Sequence, residues 1–92
     1  MKKNKNKLSS FIDNEKYFLR YGKYRDGSEV FYKRLSDGET SIGKVKWFER
    51  NNEGAILVTV IDMVIKNFQS CFFDDIIENP NIKVVKKLRS KL

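Results

Sequence analysis

Three short polar breaks constrain this chain more than anything else in it: Asp26-Gly27, Asp37-Gly38 and the run NNEG at Asn51–Gly54. Between them lie segments in which apolar and polar residues alternate. Asp-Gly tolerates the positive φ angles of a tight hairpin turn, so it is the strongest short-range signal for two antiparallel strands. Breaks this closely spaced leave no room for long helices. The sequence therefore reads as a meander of strands over Lys16–Arg25, Glu29–Leu35, Thr40–Arg50 and Ala55–Ile61. A fifth strand follows at Asn67–Phe73 and a sixth at Ile82–Leu88, separated by DDIIENP, a turn or short helix that ends before Pro80.

The expected fold is all-β: an antiparallel meander of five to six strands forming a small barrel or a strongly curved sheet. In rhythm it is similar to SH3- and Tudor-like domains, a likeness of fold that leaves function open. A chain of 92 residues accommodates one small core. The expected organisation is a flexible basic arm over 1–8, a single β domain over 9–89 and a flexible basic tail over 90–92. Ser9 or Ser10 can cap a short helical turn through Phe11–Glu15. The C-terminal run KVVKKLRSKL reads as a last strand fraying into the tail, or as a short amphipathic helix.

Turn length sets register. A two-residue loop at Asp37-Gly38 puts Lys33 opposite Ile42, Phe31 opposite Lys44 and Glu29 opposite Lys46. The same rule at Asp26-Gly27 puts Arg20 opposite Lys33 and Tyr21 opposite Tyr32, and the third turn puts Val58 opposite Trp47 and Val60 opposite Val45. Strict alternation then divides the sheet into two faces. The core face carries Tyr17, Leu19, Tyr21, Val30, Tyr32, Val45, Trp47, Ile56, Val58 and Val60. The opposite face carries Phe18, Arg20, Tyr24, Phe31, Lys33, Lys44, Lys46 and Phe48. It continues as Leu57, Thr59 and Ile61, which need a cover: the N-terminal turn, the Asp74–Asn79 segment curling over a closing barrel, or a second subunit in a homodimer.

Enzyme chemistry finds little foothold. There is no histidine, which removes the commonest general base and metal ligand. Cys71 is the one cysteine, so it makes no disulfide within the chain and fits a reducing, cytoplasmic setting. The glycines are spaced as turn and strand glycines, not as a phosphate-binding loop. Asp74, Asp75 and Glu78 read as charges at a helix terminus. No catalytic residue, cofactor or metal is expected. Nor is a membrane: the opening MKKNKNKLSS lacks the apolar stretch of a secretory signal, and the longest apolar run, Ala55–Ile65, is too short to span a bilayer.

Charge is what remains. Residues 1–34 carry ten basic and four acidic residues, 35–80 four and eight, and 81–92 five and none, for a net +7 overall. Basic ends suggest a phosphate-rich partner. The abundant Lys, Asn and Ile are also what an AT-rich coding sequence produces without selection for binding. Arg20, Lys33, Lys44 and Lys46, interleaved with Tyr24, Phe31 and Phe48, supply phosphate contacts and stacking rings on one face. That is the pattern of a surface for nucleic acid, single-stranded above all. The alternative is a protein-interaction module, such as a small inhibitor of the phage or mobile-element type, that uses the sheet face. GKVKWF, Gly43–Phe48, resembles the opening strand of a cold-shock domain. The next strand lacks that family's aromatics, and FQSCFF at Phe68–Phe73 lacks its histidine, so the likeness covers six residues and assigns no family.

Overall fold

The computed structural model describes residues 16–92, so the basic arm and the expected helical turn through Phe11–Glu15 lie outside it. The elements are β1 (Tyr17–Phe18), β2 (Arg20–Tyr21), β3 (Tyr24–Arg25), β4 (Glu29–Lys33), β5 (Thr40–Arg50), β6 (Ile56–Asp62), β7 (Phe68–Phe72), a 3-10 turn (Phe73–Asp75), β8 (Ile76–Ile77) and α1 (Ile82–Arg89). The main sheet runs β7-β6-β5-β4-β8, with β1 added along β5, while β2 and β3 form a hairpin of their own. The result is a strongly curled, antiparallel half-barrel with one C-terminal helix.

The curl comes from β5. Its 11 residues pair with β6 on one edge. On the other edge they serve three partners in turn. β4 pairs with Thr40–Lys44. Val45 then exchanges backbone bonds with Gly27 and Ser28, both 2.8 Å, and β1 takes Phe48 and Glu49. Gly43 lets β5 and β6 close up: a Cβ there would sit 2.8 Å from the Ile61 carbonyl oxygen.

The structure departs from the expected geometry in three places. The Asp37-Gly38 loop is longer than two residues. Arg34 N–H bonds to Glu39 O at 2.8 Å, and Gly38, at φ +75°, closes the turn onto Arg34 O. The register therefore slides by two, to Lys33 opposite Thr40, Phe31 opposite Ile42 and Glu29 opposite Lys44. A slide of two leaves every side chain on its expected face. Lys16–Arg25 is not one strand. It breaks into β1 and a hairpin turning at Gly22-Lys23, with Arg20 opposite Arg25 and Tyr21 opposite Tyr24.

The third difference matters most. Val45 pairs with Val60 as expected, but Trp47 pairs with Thr59 and Phe48 with Val58, because a bulge at Lys46 inserts one extra residue. A single added residue turns every later side chain to the other face. Phe48 thus enters the core, fully buried, and Trp47 leaves it.

The core consists of Val30, Tyr32, Val45, Phe48, Ile56, Val58, Val60 and Cys71. Phe18 stacks on Phe48 at 6.2 Å, and Tyr21 meets Phe73 edge-on at 4.9 Å, so the small hairpin serves as a lid of rings. Leu19, expected inside, is exposed. The segment expected as a sixth strand is the helix α1. Asn81 starts it by accepting a bond from Lys83 N–H at 2.8 Å, and Val84 and Leu88, four residues apart, share its inner face. The short sixth strand is instead β8, whose Ile76 and Ile77 pair with Tyr32 and Phe31.

The bulge makes a testable ordering. Phe48→Ala should cost ~3–5 kcal/mol, as for a fully enclosed ring, and Trp47→Ala distinctly less. Urea denaturation of the two variants checks this; strict alternation along β5 requires the reverse order.

Candidate interaction surface

The seven residues expected to bind nucleic acid do not share one face. Phe48 is in the core. Tyr24 lies on the hairpin, edge-on to Phe73 at 6.0 Å, and Arg20 is exposed on the same hairpin. Phe31 is half-buried beneath the guanidinium of Arg89, 5.7 Å from its ring centre, and Arg89 also pairs with Glu29 at 2.7 Å. Lys33 and Lys44 project into solvent, whereas Lys46 is half-buried at the bulge. Both ingredients of a stacking surface are present, but the bulge and the hairpin separate the rings from the lysines.

The one fully buried ionised side chain is Asp62, among the described residues. Its Oδ2 accepts from Tyr32 Oη at 2.5 Å and from Arg34 Nη1 at 3.2 Å, and its Oδ1 from the backbone N–H of Val64 and Ile65. Arg34 in turn holds Asp37. Burial alone would push the Asp62 carboxyl up. The bonds from Tyr32 and the two backbone amides outweigh it, together with the buried Ser41 hydroxyl close by but outside hydrogen-bonding geometry, and hold the group at about 2. Burial, and then the same carboxylate, push the Tyr32 hydroxyl far above its ordinary range. Every lone pair of this carboxylate has a structural use, so it is a staple and offers no proton for chemistry. Burial, with a smaller contribution from Asp75, pushes the Cys71 thiol up to about 12, which leaves it no nucleophilic thiolate near neutral pH.

The outer face of β5, β6 and β7 is the feature that, among the described residues, has no structural use. Register arranges nine side chains on it in three rows. Lys44, Ile61 and Phe68 form the first, Trp47, Thr59 and Ser70 the second, and Glu49, Leu57 and Phe72 the third. Phe68 is 58% exposed and Phe72 38%. Trp47 leans on Phe68, with ring centres 6.3 Å apart. The helix covers only the neighbouring part of the sheet, where Leu88 and Ile42 are buried. Its end, Leu92, reaches a depression shared with Lys44, Ile61, Met63 and Lys66. Leu57, Thr59 and Ile61, expected to need a cover, are therefore half-buried among exposed rings. Sequence reading missed Trp47, Phe68 and Phe72. The alternation of Phe68, Ser70 and Phe72 about the core residue Cys71 carried the signal for two of them; nothing local announced the third.

Asp62 titrates lower in the folded chain, about 2, than its ordinary value of 3.8. Its stabilisation is thus complete above pH 4 and disappears as pH falls from 4 through 2, a loss of about 2 kcal/mol. Urea midpoints across that range should fall for the natural chain, and Asp62→Asn should lower stability near neutrality and flatten the acid limb.

Compared with known proteins, the chain matches no family model, no curated sequence and no solved structure.

Proposed function

We propose that this protein is a non-catalytic protein-interaction module that binds its partner through the outer face of β5, β6 and β7. The observation that supports the reading is the pair of exposed rings Phe68 and Phe72 on the outer sheet face, with the half-buried Trp47 ring leaning on Phe68 and Lys44 and Glu49 at the border. Rings of this kind are the usual anchors of protein interfaces, and a polar rim around an apolar centre is their usual form. Contiguous exposed apolar surface on a small domain otherwise promotes aggregation. Sheet-borne side chains also lose little conformational freedom on binding, which favours this face over the loops.

A second reading, nucleic-acid binding, draws support from α1 and not from the sheet. Lys83, Lys86 and Lys87 on it and Lys91 just beyond its end are exposed, and none of the four has an ion-pair partner among the described residues.

One experiment separates the two. A photoreactive phenylalanine analogue is placed at position 68 of the full chain, with a control at Arg20 on the hairpin. Discrete crosslinking to one protein species from position 68 alone is the expected result. In parallel, single-stranded RNA and DNA are titrated at two salt concentrations while Trp47 emission is followed. Binding to oligonucleotide with a salt slope of ~0.7 per phosphate, together with silence at position 68, would reverse the assignment.

A further inference from the structure

Building on that reading, we infer that the partner on this face is a second copy of the chain, packed face to face about a two-fold axis. The axis crosses β5, β6 and β7 at the level of Trp47, Thr59 and Ser70. The inference comes from the registered rows themselves. A two-fold axis lying in the interface and running across the strands keeps each strand over its own copy and exchanges the first row with the third. Lys44 then falls opposite Glu49 of the second copy, Ile61 opposite Leu57, and Phe68 opposite Phe72. The middle row meets itself. Charge is set against opposite charge, aliphatic against aliphatic and ring against ring, all from one patch, as a closed isologous interface requires. An axis parallel to the strands along β6 would exchange β5 with β7 and set Lys44 against Phe68 and Glu49 against Phe72, leaving both charges without a partner.

The two charges are available for this role: neither Lys44 nor Glu49 has an ion-pair partner among the described residues. Pairing through the sheet edge is less open, because the Ser70 carbonyl on β7 already accepts from Leu35 N–H at 3.0 Å. Size sets the strength. Three strands ~4.8 Å apart and six residues rising ~3.3 Å each make a patch of only ~300 Å² per copy, the size of a weak, transient contact. The dimer therefore exchanges with monomer across the micromolar range.

Sedimentation equilibrium of the full chain, with Trp47 emission as a second signal, tests this. Phe68→Ser should abolish association. Lys44→Glu and Glu49→Lys should each weaken it roughly tenfold, because symmetry places each like-charge contact twice. Mixing these two single variants should restore association, since in the mixed dimer both contacts again join opposite charges. A chain that stays monomeric at all concentrations, or a dimer indifferent to these substitutions, overturns the inference. In that case a crosslink from position 68 to a different protein keeps the interaction-module reading, and oligonucleotide binding with no such crosslink removes that too.

Discussion

A buried carboxylate governs how this sheet closes. Asp62 ends β6 out of reach of water, and an unpaired charge there would cost several kcal/mol. The fold answers by drawing in Tyr32 from β4, Arg34 just beyond it and two amides of the β6–β7 turn. These groups belong to strands that are not neighbours, since β5 lies between β4 and β6. Bonding across β5 bends the sheet at this end, and Arg34 carries the constraint on to Asp37 in the β4–β5 turn. Asp62 thus ties β4 and β6 together across the strand that separates them.

The other decisive feature is the extra residue at Lys46. Without it Trp47 would fill the core and Phe48 would stand outside. With it, the more compact ring goes in against Phe18 and Tyr21, and the larger indole turns to the outer face, half-buried against Phe68. Core packing and surface chemistry are thus set by one backbone irregularity. Sheet bulges often re-aim side chains in this way.

The strands themselves were largely legible in the sequence. Thr40–Arg50 is β5, and β6 and β7 lie within a residue or two of Ala55–Ile61 and Asn67–Phe73, because alternation and turn residues are local signals. Lys16–Arg25 was misleading: its aromatic run looks like one strand, yet Gly22 at φ +60° turns it back on itself. The C-terminal helix was ambiguous for a physical reason. Val84, Val85 and Leu88 fit either period over so few residues, and only docking of Leu88 against the β4–β5 region decides for the helix. The expected basic-aromatic face was less legible: alternation puts Lys33 and Lys44 on the exposed side, where the structure has them, but it misplaces Phe48 beyond the bulge.

Alone, the sequence determined an antiparallel β fold, the positions of its main strands, a charge distribution with basic ends and the lack of histidine chemistry. Those properties reside in neighbouring residues and need no distant partner. Tertiary structure decided which rings are buried, that Asp62 is a staple, and that Trp47, Phe68 and Phe72 share the outer face of the sheet. Each of these depends on register between strands far apart in the chain. Register is a property of the paired sheet, and one inserted residue is enough to reverse it.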